Sequence, residues 1–189
     1  MIMRSDDNAY GSIAIFIHWA SALLIFVLLA SGFRSGFADD PALKAMALRI
    51  HVPVAILVLI LTVGRLIWWW RIDRKPLALP GTPNWQALVA RWTHRAFYLV
   101  ILLLLASGIA MSVISGLPNA LFGGAMLPDF SELAPRAGHG IGAGLLAALI
   151  LLHVAGALYH HFVLRDRTLR RIWPGSQRPA ETPGPTPEK

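Results

Sequence analysis

The 189-residue sequence contains no cysteine and little charge. Without cysteine, the chain cannot form disulfides, bind an iron–sulfur cluster through thiolates or attach haem covalently. Charged residues make up only 14% of the chain, whereas soluble domains carry about 25%. Hydrophobic residues make up 56%. This composition favours a lipid bilayer as the solvent and leaves no room for a large water-exposed domain.

Four apolar segments are long enough to cross a membrane as helices. A spanning helix needs roughly 20 residues, and it satisfies its own backbone hydrogen bonds in lipid. None of the four segments contains an aspartate or a glutamate. The sequence therefore predicts an all-α membrane protein with a four-transmembrane-helix bundle. The predicted spans are residues 13–32, 45–70, 95–114 and 137–164.

Lysine and arginine predict the orientation of the bundle. Basic residues dominate the link between spans two and three and the segment after span four, whereas the other two links are mixed in charge. The positive-inside rule then places both termini in the cytoplasm (N-in/C-in). The net charge of +7 lies in loops between apolar runs, so no nucleic-acid partner is predicted. We expect a membrane domain over 10–173, a disordered tail over 174–189, and no internal repeat.

Histidines occur in three of the predicted spans, and His94 directly precedes the remaining one, span three. His139 and His153 are fourteen residues apart, almost four helical turns, so they share one helix face and lie roughly 21 Å apart along the axis. Matching the depths of the histidines pairs His51 with His139, and His18 with His153. Given the predicted orientation, we call the first pair the outer site and the second pair the inner site.

Two imidazoles from two helices complete the axial positions of a low-spin b-type haem. Such an iron has no open position for oxygen, which is typical of electron transfer rather than oxygen activation. The sequence thus predicts two non-covalent haem b groups. Two alternatives stay open: histidines that only hydrogen-bond across helices, and a divalent-metal transporter binding zinc. The transporter is disfavoured because mid-membrane carboxylates are missing.

Three further residues are candidates for roles around the inner site. Arg65 lies fourteen residues after His51, and it is expected either to pair with a haem propionate or to extend to the interface. His94 is a candidate to replace His18 as a ligand, to contact a propionate or to line a quinone pocket; a solvated interfacial position is the alternative. His160 lies two turns after His153 and is a proton-path candidate, or simply part of a wet helix end. At the outer end, Arg34 and Arg49 are candidates to neutralise propionates or attract an anionic donor, or are ordinary loop charges.

The histidine pattern resembles the bacterial cytochrome b561 family, which is related to cytochrome b subunits of hydrogenases and formate dehydrogenases. The resemblance covers residues 10–174. It is carried by the fourteen-residue spacing on span four and by short motifs around the other histidines. These motifs are Ile17-His18-Trp19, Ile50-His51-Val52 leading to Arg65, the region of His94, Gly138-His139, His153, Tyr159-His160-His161 and the basic segment 165–169.

The resemblance implies a di-haem quinone oxidoreductase with ligands at His18, His51, His139 and His153. It implies electron exchange between an outer-side donor, such as superoxide, and membrane ubiquinone near the inner site. The alternative is an anchoring cytochrome b subunit of a larger dehydrogenase or hydrogenase, which receives electrons from a partner protein. The sequence departs from the family mainly over 115–136, where no donor-docking surface is evident.

Overall fold

The computed structural model describes residues 3–175, and in that part of the chain four long helices form a bundle. Most of the predicted tail, residues 176–189, lies outside the described residues. Two of the long helices end in a single π-helical turn, and a short helix follows the third. The helices are α1 (Ser12–Phe37), α2 (Pro41–Ile67, then the π turn Trp68–Ile72), α3 (Asn84–Ser115), α4 (Leu117–Phe122) and α5 (Pro135–Tyr159, then the π turn His160–Leu164).

All four predicted spans are confirmed as helices long and apolar enough to cross a membrane. Each is longer than predicted, and α3 differs most, because it begins at Asn84 rather than at Arg95. The added residues mix polar, aromatic and aliphatic side chains, and they continue the helix beyond the apolar stretch. Hydropathy marks only the lipid-exposed part of a helix, whereas backbone hydrogen bonds extend the helix beyond that part. Toward the N-terminus, α3 extends as far as Asn84, directly after Pro83.

The outside of the bundle carries many large apolar side chains. Large aliphatic and aromatic side chains on every long helix point away from the protein, including Phe16, Leu23, Leu151 and Ile141, the last of which is 75% exposed. Several of the buried residues are small and polar. These buried polar residues are Ser21, Ser31, Ser35, Thr62 and Asp73. An apolar surface around buried small residues suits a protein whose solvent is lipid, where small residues let helices approach closely.

The bundle consists of two antiparallel hairpins. Helix α1 packs along α2, and α3 packs along α5, whereas contact between the hairpins is sparser and runs mainly between α2 and α3. The sequence did not predict α4, which buries Leu117, Ala120 and Leu121 at the end of the second hairpin. Arg49 donates a hydrogen bond from Nε to the carbonyl of Leu121 at 3.0 Å. The side chain of Arg49 therefore ties α2 to α4.

The two ends of the described chain meet at the same end of the bundle as the α2–α3 link. Tyr10 donates its backbone N–H to the carbonyl of Arg171. The guanidinium of Arg171 donates to the carbonyls of Asn8 (2.7 Å), Leu77 (2.8 Å) and Asp7 (3.1 Å). One arginine thus holds three segments together. Both ends of the described chain therefore lie on the same side of the membrane.

Asp73 anchors the N-terminal segment, and we expect this anchor to be sensitive to acid. Its carboxylate accepts hydrogen bonds from Ser5 (2.8 Å from Oγ), the Trp68 indole (3.0 Å) and the Arg74 backbone (2.8 Å). Burial raises the pKa of Asp73, but these hydrogen bonds lower it more, so the pKa falls below its ordinary value of 3.8. A carboxyl group with a lowered folded-state pKa stabilises the protein above its unfolded pKa and loses that contribution as the pH falls through the folded pKa.

Asp73→Asn should therefore lower the stability at pH 7 by about 1–3 kcal/mol and flatten the fall in stability below about pH 4. Thermal unfolding of the detergent-purified protein between pH 7 and pH 3 measures both effects. Asp39→Asn, at an exposed aspartate in the α1–α2 turn, is the matched control. Equal pH dependence in Asp73→Asn and the unsubstituted protein would show that Asp73 is not the anchor.

Candidate functional site

The outer-site histidines face each other across the gap between the two hairpins. His51 lies in the third turn of α2 and His139 in the second turn of α5, and both are half-buried. Their ring centroids are 6.3 Å apart, with the ring planes inclined by 65°. Each ring thus reaches out from a different hairpin toward a common point.

A serine and a backbone carbonyl hold each outer-site ring at Nδ1. His51 Nδ1 lies 3.1 Å from the hydroxyl of Ser31 and 3.1 Å from the carbonyl of Leu28, both on α1. His139 Nδ1 lies 2.8 Å from the hydroxyl of Ser107 on α3, and the ring also bonds the carbonyl of Leu104. A carbonyl only accepts hydrogen bonds, so Nδ1 of His51 carries the proton. The Ser107 hydroxyl donates its own proton to the Leu104 carbonyl, so it accepts from Nδ1 of His139, which carries the proton as well. Nε2 of each ring is then left with the lone pair that coordinates a metal.

The inner site contains three histidines rather than two. The rings of His18 on α1 and His153 on α5 have centroids 6.3 Å apart and planes inclined by 56°. The ring of His94 on α3 lies closer to His153, at 5.5 Å, and almost perpendicular to it, at 86°. Phe97 packs edge-on against the same ring at 5.5 Å. His153 is therefore the centre of this cluster.

Hydrogen bonding differs among the inner-site histidines. His94 Nδ1 lies 2.6 Å from the carbonyl of Ala90, one turn earlier in its own helix. That bond places the proton on Nδ1 and leaves Nε2 of His94 free to accept a hydrogen bond or a metal. For residues 3–175, no hydrogen bond is seen to either His18 or His153. The inner rings are thus positioned by packing, including the edge of Trp19 against His18.

The histidine pairs fit the axial ligation of haem. If each metal–imidazole bond is about 2.0–2.1 Å and each ring centroid lies about 1.1 Å from its nitrogen, two axial imidazoles have centroids roughly 6.2–6.4 Å apart. Both His51–His139 and His18–His153 stand at 6.3 Å. The 5.5 Å, perpendicular arrangement of His94 and His153 is instead that of edge-to-face packing.

A site for a bare metal ion has less support. No group of three or more histidine and carboxylate side chains that could hold a metal ion is found among the described residues. None of the four candidate membrane spans contains an aspartate or glutamate. The zinc-transporter alternative therefore lacks the ligands that it would need.

Arg65 lies at the inner site, as its spacing from His51 predicts. It is close enough to act electrostatically on the rings of His18, His94 and His153. Its guanidinium lies 6.0 Å from the centre of the Tyr98 ring. Within residues 3–175 it forms no ion pair with a carboxylate, since the one ion pair seen there joins His160 and Asp166. Lys75 lies nearby, and burial followed by the charges of Arg65 and Arg95 lowers its pKa.

His160 is bound to residues that follow it in the chain. It begins the π turn after α5, and its Nδ1 pairs with the carboxylate of Asp166, which Thr168 also contacts. Burial raises the pKa of Asp166, but the hydrogen bonds from His160 and Thr168 lower it more, so its pKa lies below the ordinary value. In the part of the chain that is described, no contact joins His160 to the inner-site rings.

Sequence reasoning missed Ser31 and Ser107, although a signal for them is present. The segment Leu-Leu-Ala-Ser-Gly occurs twice, at residues 28–32 and 104–108. In each copy the leucine carbonyl and the serine hydroxyl are the groups that hold an outer-site histidine. The prediction of no internal repeat is therefore wrong. The copies are only five residues long and lie in apolar helices rich in leucine, so the match is difficult to recognise from the sequence alone.

Comparison with known proteins shows similarity over almost the whole chain. A family model described as prokaryotic cytochrome b561 matches residues 9–175. Cytochrome b561 homolog 2 of Escherichia coli (strain K12) is 33% identical over 181 residues, covering 91% of this chain and 95% of that protein. Cytochrome b561 homolog 1 of the same strain is 28% identical over 174 residues, covering 88% and 98%. A probable superoxide oxidase, CybB, of Yersinia pestis is 31% identical over 172 residues, covering 87% and 96%.

These matches agree with the two histidine pairs and the four apolar helices. Membership of a haem-binding family accounts for intramembrane histidines that face one another at the separation of axial ligands. It also supports a role in electron transport for a multi-pass bacterial membrane protein. The chain belongs to the prokaryotic cytochrome b561 family and, with it, to the membrane cytochromes that bind haem b.

Proposed function

We propose that the protein is a di-haem quinone oxidoreductase that carries electrons across the bacterial inner membrane, with both termini in the cytoplasm. The observation that carries the proposal is the presence of two histidine pairs with centroids 6.3 Å apart at two depths of the bundle. The fourteen-residue spacing of His139 and His153 puts the two pairs roughly 21 Å apart along α5. One chain thus offers a complete ligand pair near each membrane surface.

The four axial histidines and one arginine have distinct roles in this proposal. Haem b, when bound, supplies reversible one-electron chemistry at a six-coordinate iron. His51 and His139 hold the outer group, and His18 and His153 hold the inner group, each through Nε2. Arg65 lacks a carboxylate partner among the described residues, so we assign it to a propionate of the inner group.

Quinone reduction fits the inner end of the bundle. A quinone takes up two electrons and two protons, so two one-electron donors such as superoxide would reduce one quinone. The relative named as a probable superoxide oxidase supports this class of donor. His94, with the lone pair of Nε2 free and its ring against His153, is well placed to accept a hydrogen bond from a quinol hydroxyl or to pass on a proton. His160, beside Asp166, is the candidate for the cytoplasmic start of a proton path.

The test is a haem count followed by an activity assay on the detergent-purified protein. A pyridine haemochrome assay should give two b haems per chain, and a reduced-minus-oxidised spectrum should show two b components. Superoxide, generated enzymatically, should then reduce added ubiquinone at a rate above that of the uncatalysed reaction. Two haems without this activity, together with a co-purifying redox protein, would favour an anchoring subunit. Fewer than two haems would refute the di-haem assignment.

A further inference from the structure

The two hairpins of the bundle share a sequence pattern longer than the five-residue repeat. His18 lies ten residues before the first Leu-Leu-Ala-Ser-Gly segment, and His94 lies ten residues before the second. In the partner helices, His51 precedes Arg65 by fourteen residues, just as His139 precedes His153. Each hairpin also ends in a five-residue π turn. The first hairpin therefore has the same spacing of these residues as the second, and Arg65 occupies the position that corresponds to His153.

The equivalence extends to the hydrogen bonds at the outer site. In the first hairpin the serine of the repeat on α1 bonds the histidine on α2, and in the second the serine on α3 bonds the histidine on α5. In each case the carbonyl three residues before the serine bonds the same histidine ring. Two different helix pairs thus build the same contact from the same five residues.

The serine hydroxyls can only accept from the rings, because their own protons are already used. Ser31 Oγ donates to the carbonyl of Val27 at 2.7 Å. Ser107 Oγ donates to the carbonyl of Leu104 at 3.0 Å. Nδ1–H of His51 therefore faces two acceptors, the Ser31 hydroxyl oxygen and the Leu28 carbonyl oxygen, and Nδ1–H of His139 faces the Ser107 hydroxyl oxygen. The tautomer and the direction of Nε2 are set before any metal is bound.

The glycine of each repeat lets the ring lie directly against the neighbouring helix. A Cβ atom on Gly32 would stand 3.2 Å from Cε1 of His51, and a Cβ on Gly108 would stand 3.4 Å from Cε1 of His139. A side chain at Gly32 would press on the ring of His51, and one at Gly108 would lie in van der Waals contact with the ring of His139. The Ser-Gly pair thus combines a hydrogen-bond acceptor with the room that the ring needs to reach it.

We propose that Ser31 and Ser107 are positioning residues that lower the reduction potential of the outer site relative to the inner one. The inference rests on the proposed di-haem function. Hydrogen-bond acceptors at Nδ1–H increase the electron donation of an imidazole, and stronger donation favours the oxidised iron. Both outer-site rings have such acceptors, whereas within residues 3–175 neither His18 nor His153 is seen to have one. The resulting difference in reduction potential favours electron flow from the outer site to the inner site.

The test is a redox titration of the purified protein, followed optically, for Ser31→Ala, Ser107→Ala and the double variant. At a fixed potential, each single variant should raise the reduced-to-oxidised ratio of the outer component three- to tenfold, where tenfold corresponds to about 59 mV for one electron. The inner component should not move. The component lost in His139→Ala identifies the outer site. Low-temperature electron paramagnetic resonance of the oxidised protein should show changed g values for the same component alone.

Two further variants separate positioning from structure. Ser35→Ala, one turn further along α1 at another buried serine, should leave both potentials unchanged. Ser107→Thr keeps the hydroxyl and should retain the potential of the unsubstituted protein, even if the alanine variants do not fold. Unchanged outer potentials in the alanine variants, equal shifts of both components, or a shift in Ser107→Thr as large as in Ser107→Ala would each overturn the inference. A haem count below two in the unsubstituted protein would instead refute the proposed function.

Discussion

His139→Ala is expected to remove one of the two b haems and leave the other in place. The substitution takes away one of the two imidazoles that stand 6.3 Å apart at the outer site. The inner pair lies almost four helical turns away and shares no hydrogen bond with the outer pair among the described residues. The pyridine haemochrome assay should fall from two haems per chain to one, and one b component should disappear from the redox titration.

His161→Ala is the matched control for this experiment. His161 lies on the π turn after α5, where its ring packs on Phe162 rather than on another histidine. The control should retain two haems. Loss of both haems from a folded His139→Ala protein would show that the sites depend on each other. Retention of both would show that His139 is not an axial ligand.

His153→Ala should remove the inner haem, whereas His94→Ala should retain both haems. His153 is the ring that faces both His18 and His94, and both histidine ring pairs seen at this site among the described residues include it. His94 meets it at 5.5 Å and 86°, an edge-to-face contact that does not place an iron between the two rings. Haem content and the two spectral components of each variant provide the measurement.

A third variant, His18→Ala, decides between the two possible partners of His153. It should lose the inner haem, because its ring stands at the axial separation of 6.3 Å. The opposite result, with His94→Ala losing the inner haem and His18→Ala keeping it, would assign His94 as the ligand. In that case the second hairpin alone would provide both inner ligands.

The number and positions of the membrane helices were predictable from the sequence alone. Lipid imposes a minimum apolar length and excludes unpaired charge, and both constraints can be seen along the chain without knowledge of its neighbours. The grouping of histidines by depth was predictable for the same reason. A helix rises by a constant amount per residue, so sequence separation from a helix end gives the depth. On this basis His51 was matched with His139, and His18 with His153, and the structure brings both pairs together.

The surroundings of those histidines depended on contacts between helices. The hydroxyl of Ser31 lies twenty residues from His51, and that of Ser107 lies thirty-two residues from His139, so only the pairing of α1 with α2 and of α3 with α5 joins them. In a hydropathy profile, a serine in a leucine-rich helix only slightly lowers the mean hydropathy of the segment. Its role follows from the ring that it faces across the helix interface.

The ends of the helices likewise required the tertiary structure. The helix α4, the bond of Arg49 to its Leu121 carbonyl and the binding of the N-terminal segment by Asp73 lie near the ends of the long helices. There water competes for every polar group, and composition no longer restricts the backbone to one conformation. The sequence thus predicted what the membrane imposes on each helix separately, because that constraint is local. Packing of the two hairpins decided which polar atom each histidine meets, because those hydrogen bonds form between residues far apart in the chain.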